Sequence, residues 1–351
     1  MAHSINRREF ITTSAGIAAA FSIAPATPRA QAPARGAQTP PPPSSSLTFK
    51  TRPHKALIAR PTEDELKRMK DAGFEGVEAR VMPVDQAAKM REAADKIGMR
   101  VHSVLYGWAE FNNSDKSEVE RTFAESQAAL RTAEAFGAET VLLVPCRIGG
   151  GGAGGRGRAE GPTLRMPRPW EFQIEFNPAN GHLTKVVYGD NSPYAEYIAA
   201  HNHATDASVE WVKRLIPLAE KTKVVIALEN VSNNLWVMPE IFRHFVQSFQ
   251  SPWVKAYYDI GNHVRFAPPE KWILTLNTLI AKIHVKDYLL NPADPDGRGT
   301  SVNIREGSVR WPVLRQALES VNYNGWMTIE SNGDIPFEER NRRLDLILAG
   351  E

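Results

Sequence analysis

The chain has 351 residues, 42% hydrophobic and 23% charged, with a formal net charge of +2. That balance describes an ordinary soluble globular chain and excludes the strongly basic surface that tracking a phosphate backbone requires, the more so because Arg7, Arg8, Arg29 and Arg35 all fall in the N-terminal segment expected to lie outside the mature fold, so nucleic acid is not an expected partner. Cys146 is the only cysteine, which rules out an intramolecular disulfide and leaves stability to core packing.

Residues 1–32 read as a twin-arginine export signal. Asn6-Arg7-Arg8-Glu9-Phe10-Ile11 precedes a small-residue apolar stretch and two Ala-x-Ala cleavage patterns, Ala24-Pro25-Ala26 and Ala30-Gln31-Ala32. The apolar run is broken by Ser22 and Pro25 and is shorter than the ~20 residues a bilayer span needs. The expected location is therefore periplasmic or otherwise exported, with the twin-arginine translocation machinery as a transient partner. Residues 33–50, rich in Pro, Ala, Gln and Ser, cannot bury enough apolar area to order themselves and read as a tether.

From there to residue 351 the chain alternates. Strand-like runs stand at 55–60, 76–81, 100–106, 140–145, 223–229, 254–259, 282–286 and 326–330. Amphipathic patterns predict helices at 62–72, 84–97, 116–136, 204–221, 239–248, 269–276, 311–320 and near 336–348. Thr62 with Glu65 forms a capping-box pattern, and Gly73, Gly98 and Gly137 stand where C-cap glycines precede strands. Eight βα units favour a single-domain α/β fold, a (β/α)8 TIM barrel over 51–351.

An insertion at 147–202 breaks the rhythm after the fourth strand. It opens on a glycine-rich run, Gly149 to Gly157, which lacks the Lys-Ser/Thr of a phosphate-cradling loop and reads as a linker. Residues 170–174 and 185–188 around Asn180-Gly181 suggest a small hairpin. A lid over the site, an oligomer contact and a decorative loop all remain open for this segment.

The last four strands each run apolar and stop on a metal-ligand type: Glu229, Asp259, His284 and Glu330. Parallel strands buried on both faces read as apolar runs, and a barrel gathers its chemistry where they end. One such carboxylate is more often a cap or an ion-pair partner, but four in succession are costly to bury unless paired or metal-bound. Three oxygen ligands and one imidazole suit Mn2+ or Mg2+ ahead of Co2+ or Zn2+. Glu229 and Glu330, on strands separated by two others, could flank a substrate as a base and an acid. Around them, His102, Lys286 and Glu78 are candidates for the pocket, and Trp108 and Trp236 could stack on a sugar; the bland alternatives are a core histidine, an ion pair, a structural acid and packed tryptophans. His201 and His203 are expected to be polar surface residues.

Leu228-Glu229-Asn230, Tyr258-Asp259-Ile260-Gly261-Asn262, Ile283-His284-Val285-Lys286-Asp287 and Tyr323-Asn324-Gly325-Trp326 leading to Glu330 resemble the sugar phosphate isomerase/epimerase family with the xylose isomerase-like barrel. The resemblance implies a metal site at Glu229, Asp259, His284 and Glu330, with the two glutamates as acid and base. Epimerases of that family carry a substrate-contacting His three residues after the metal Asp; here that place holds Asn262, and His263, one later, is the candidate for the substrate contact.

These readings point to a metal-dependent sugar isomerase or epimerase that abstracts a proton beside a carbonyl. An exported enzyme is expected to act on an unphosphorylated sugar, keto-sugar or glycoside. A lyase or hydratase acting on 3-keto-glycosides is the enzymatic alternative, and a non-catalytic periplasmic sugar-binding protein is the alternative of another class. A nuclease is disfavoured by the charge. Assembly into a homo-oligomer is left open.

Overall fold

A computed structural model describes residues 48–149, 164–330 and 335–351. The expected export signal and most of the tether and glycine run fall outside the described residues. In chain order the elements are β1 (His54–Ile58), α1 (Glu63–Asp71), β2 (Gly76–Arg80), α2 (Val84–Ile97), β3 (Arg100–Trp108), α3 (Lys116–Phe136), β4 (Thr140–Val144), β5 (Glu175–Phe176), β6 (Leu183–Lys185), α4 (Ala195–Thr222), β7 (Val225–Glu229), α5 (Pro239–Gln247), β8 (Val254–Asp259), α6 (Pro269–Leu276), β9 (Ile280–Val285), β10 (Asp287–Leu290), β11 (Gly299–Val302), α7 (Trp311–Ser320), β12 (Trp326–Ile329) and α8 (Phe337–Ala349). Eight strands close in the order β1-β12-β9-β8-β7-β4-β3-β2, all pairs parallel, and the fold is a TIM barrel.

Local chemistry sets the element ends as the sequence suggests. The Thr62 side chain accepts from the backbone N–H of Glu65, and Gly98 and Gly137 adopt the left-handed conformation that closes α2 and α3. Side chains two apart on a strand share a face, so each inward ligand has an inward residue beneath it: Ala227 under Glu229, Tyr257 under Asp259, Lys282 under His284 and Thr328 under Glu330. Leu142, Val144, Ala227 and Tyr257 form a small buried cluster of their own, apart from the large apolar layer between strands and helices. Gly76 is required where Trp326 crosses the barrel floor, since a Cβ there would lie 2.4 Å from the indole.

Two expectations about the periphery need correction. Helix α4 begins at Ala195 rather than 204, because Tyr197 and His201 continue the buried stripe of Ala204, Ser208, Val212, Leu215 and Ala219. The hairpin in the insertion pairs Glu175 with Lys185 and Phe176 with Leu183, inside the expected strands, because Asn202 on α4 both donates to and accepts from the Leu183 backbone and holds β6 there. A second hairpin, β10–β11, directly follows barrel strand β9.

Candidate metal centre

Glu229, Asp259 and His284 are the last or next-to-last residues of β7, β8 and β9, and Glu330 immediately follows β12. Register fixes their heights: Asp259 pairs with His284 across β8 and β9, and the Glu330 backbone N–H donates to Val285 at 3.1 Å. One ligand atom from each of the four lies within 4.8 Å of all the others. His284 Nδ1 is 3.4 Å from Glu330 Oε2, 3.5 Å from Glu229 Oε1 and 4.0 Å from Asp259 Oδ2.

Neighbours take up the other polar atoms of Asp259 and His284 and leave the facing ones without a hydrogen bond. Asp259 Oδ1 accepts from the backbone N–H groups of Gly261 and Asn262, each at 2.8 Å. Asn230 clamps the same strand end, accepting from the Asp259 N–H at 2.6 Å and donating to its carbonyl at 2.9 Å. Asp259 Oδ2, His284 Nδ1 and Glu330 Oε2 are buried and make no hydrogen bond, the two carboxylate oxygens meeting only the Lys286 ammonium as an ion pair. Three such atoms converging with a fourth donor fit a divalent cation, since buried polar atoms of this kind are otherwise costly. Three carboxylates with one imidazole suit a hard to borderline ion.

Lys286 stands beside the cluster. Lys286 Nζ is 2.7 Å from Glu330 Oε2 and 3.4 Å from Asp259 Oδ2, and it donates to Asn262 Oδ1 at 3.3 Å. Asn262 in turn donates to Glu229 Oε1 at 3.4 Å. Burial pushes the Glu229 carboxyl up and raises Asp259 to about 7. Burial would lower His284, but Glu78 above all, with Glu229 and Glu330, outweighs it and holds the imidazole well above its ordinary value. Burial would raise Glu330, yet the His284 and Lys286 charges keep it low. Without a divalent ion, protons and Lys286 thus compensate the carboxylates.

The other expected pocket residues divide. Lys286 belongs to the cluster as described. Trp108, at the end of β3, keeps 36% of its surface exposed, with the Arg147 guanidinium 4.1 Å from its ring centroid. Trp236 is not available to a sugar: it is buried, stacked 3.8 Å from Phe245, and its indole donates to Thr205. His263 is also a packing residue, buried with its Nε2 at 3.0 Å from the Val231 carbonyl and its ring against Trp272. Its pKa falls to about 3 through burial. His102 is fully buried below the ligand layer, stacked on Trp326 with Nε2 3.0 Å from Thr328 Oγ1, so it does not line a pocket. His201, expected at the surface, is fully buried and accepts from the Trp236 N–H, whereas His203 is exposed.

Sequence reading underused two residues. Glu78 Oε2 is 2.6 Å from His284 Nε2, and its Oε1 accepts from Ser103 Oγ at 2.8 Å. Asp287 accepts from the backbone N–H groups of Tyr288, Arg305, Gly307 and Val309 and from the Trp311 indole, tying the segment between β11 and α7 to the start of β10. The signal for both was present: each is an acid within or just after an apolar run, a place where solvent cannot satisfy it.

No curated protein matches the chain by sequence. Among solved structures, 3-keto-D-glucoside 4-epimerase from E. coli is similar with a TM-score of 0.60 at 13% identity, covering 85% of this chain and 99% of that one. D-psicose 3-epimerase, solved in the presence of D-fructose, gives 0.57 at 12% identity over 84% and 99%. A xylose isomerase-like TIM barrel protein from Mycobacterium smegmatis, in complex with magnesium, gives 0.55 at 15% identity over 86% and 96%. At such identities the likeness carries the fold. A family model described as xylose isomerase-like TIM barrel matches residues 66–346, and with the closed eight-stranded barrel this chain belongs to that family.

Proposed function

We propose that the protein is a metal-dependent sugar isomerase or epimerase that moves a proton at a carbon next to a carbonyl, and that its substrate is an unphosphorylated sugar, keto-sugar or glycoside. The observation that carries this is the convergence of Glu229, Asp259, His284 and Glu330, three of whose facing atoms are buried without hydrogen bonds. These four residues would hold the ion, with Mn2+ or Mg2+ favoured by the donor set. A bound divalent cation would supply Lewis-acid polarisation of the carbonyl and so acidify the neighbouring C–H.

The chain's own groups do the rest. Glu229 and Glu330 reach the site from β7 and beyond β12, with β8 and β9 between them, so one carboxylate can take a proton from one face of a carbon and the other can return one. Lys286 holds Glu330 ionised and ready to accept a proton, and its ammonium is placed to hold a substrate oxygen. Asn262, where family epimerases carry a His, links Lys286 to Glu229. Family membership and the keto-glucoside and ketose epimerases among the structural relatives support the same reading, and the export signal expected from the sequence would favour an unphosphorylated substrate.

The test is deuterium exchange from D2O into free ketoses and 3-keto-glucosides, using metal-stripped protein with and without added Mn2+. The expected result is Mn2+-dependent label at the carbon beside the carbonyl, lost in Glu229→Gln and Glu330→Gln. Exchange followed by loss of the aglycone would make the enzyme a lyase on 3-keto-glycosides. Sugar binding without exchange under any metal would overturn the enzyme reading in favour of a binding protein.

A further inference from the structure

We propose that Glu78 is a positioning residue that fixes His284 as an Nδ1 donor to the metal, an inference that rests on the metal reading of the four-residue cluster. An imidazole offers one nitrogen to a metal, and the partner of the other nitrogen decides which. Here the two nitrogens face opposite ways. Nδ1 looks at Glu229, Asp259 and Glu330 and makes no hydrogen bond. Nε2 sits 2.6 Å from Glu78 Oε2.

Glu78 reaches His284 across the barrel. It stands on β2, which is separated from β9 by β1 and β12 around the wall, and it is fully buried. Its second oxygen is held by Ser103 Oγ from β3, which sets the plane of the carboxylate. The Tyr257 ring, 4.4 Å from the imidazole centroid, packs against the other partner. A carboxylate in this place does nothing for packing that an apolar side chain would not do at lower cost, since a buried ion pair is seldom worth more than its hydrophobic replacement. Its contribution is to hold the Nε2 proton, so that a bound ion would meet the Nδ1 lone pair, and to fix the ring's rotation.

Among the described residues no hydrogen bond or ion pair joins Glu78 to Glu229, Asp259 or Glu330, so its loss should reach the metal through His284. The test measures Mn2+ affinity of the full chain by titration calorimetry, with no sugar present. Glu78→Ala is expected to weaken Mn2+ binding about 10- to 100-fold. Glu78→Gln, whose amide oxygen still accepts the Nε2 proton without the charge, should fall between Glu78→Ala and the wild type. Glu139→Gln, at the opposite mouth of the barrel, should bind as the wild type does. In the Mg2+-loaded wild type, nitrogen NMR of His284 should show Nε2 protonated and Nδ1 unprotonated.

Variants that keep their unfolding transition and bind Mn2+ within about twofold of the wild type would overturn the proposal. So would a wild-type spectrum with the proton on Nδ1. If Glu78→Ala does not fold, the isosteric Gln variant and the wild-type spectrum decide between the same outcomes. A wild type that binds no Mn2+ at all would remove the metal reading itself and take this proposal with it.

Discussion

The two mouths of the barrel are both lined with charge, and they treat it in opposite ways. At the lower mouth a cavity of about 550 Å³ is lined by Lys70, Arg100, Lys282, Glu75 and Glu139, among others. There each charge has found a partner: Arg100 and Lys282 share Glu139 at 2.7 and 2.5 Å, His54 pairs with Glu75, and Lys70 donates to the Gly98 carbonyl. At the upper mouth Glu229, Asp259, His284 and Glu330 turn ligand atoms towards one another and leave three of them without a hydrogen bond. The fold that supplies both rims is the same, so the difference lies in satisfaction. Charges paired one to one stabilise, whereas three carboxylates and an imidazole converging beside a single lysine mark a place built for something else to bind.

The largest expected effect falls on the upper mouth. Glu330→Gln or Glu229→Gln should cut deuterium exchange by roughly a hundred- to ten-thousand-fold while leaving the melting temperature near or above that of the parent. Full activity in either variant would break the contrast, because an atom free for chemistry would then have none to do. A sharper version uses Asp287, which is also at the upper end but fully hydrogen-bonded. Asp287→Ala strips five donors of their acceptor and should destabilise by about 3 kcal/mol or more in chemical denaturation. If the loss were instead confined to turnover with stability intact, hydrogen-bond satisfaction would not separate structural acids from functional ones.

Metal removal should have an intermediate effect with a distinctive pH dependence. Saturating Mn2+ at about 100 times its dissociation constant should add about 2.7 kcal/mol. In metal-free protein the folded pKa values of Asp259, about 7, and His284 lie above their ordinary values. Groups raised on folding contribute stability that is present at low pH and lost as pH rises through the folded value. The metal-free melting temperature should therefore fall as pH climbs through about 7, and Mn2+ should abolish that fall. Mn2+ affinity should weaken by about tenfold per pH unit for each competing proton on the acid side, read by calorimetry in buffers of different ionisation enthalpy. A pH-independent affinity would show that no ligand proton is displaced.

The smallest effect belongs below. Lys282→Met removes a cation whose Glu139 partner keeps Arg100, so stability should change by no more than about 1 kcal/mol and exchange activity not at all. A loss of activity there would couple the two mouths and break the comparison from the other side.

Much of this was legible in the residues themselves. Glu229, Asp259, His284 and Glu330 could be placed together because a parallel strand buried on both faces leaves a ligand type at its end conspicuous, and because barrel neighbours are sequence neighbours in this half of the chain. Helices α2, α3, α6 and α7 kept their expected bounds because their apolar stripes and caps are local signals. What failed depended on contacts between distant segments. His102, His263 and Trp236 look the same in sequence whether they face a pocket or a packed neighbour, and only Trp326, Trp272 and Phe245 settle the matter. His201 gave the opposite error, since its partner, the Trp236 N–H, lies on another element. Glu78 was uncertain for the same reason: its role is set by an imidazole 206 residues away.

The seam between β1 and β12 has a consequence for how the protein comes into being. These strands pair side by side, and around them Arg52 donates to Asn324, 272 residues later, while Thr51 bonds Glu319. A ribosome delivers β1 first and β12 last, so the ring stays open through nearly all of translation, and Glu330 arrives only behind the strand that shuts it. Any ion captured earlier would have at most three of its four side chains. The newborn chain therefore carries an unsealed sheet with two bare edges until its final strand is made, and that interval is when it most needs shielding from its own kind.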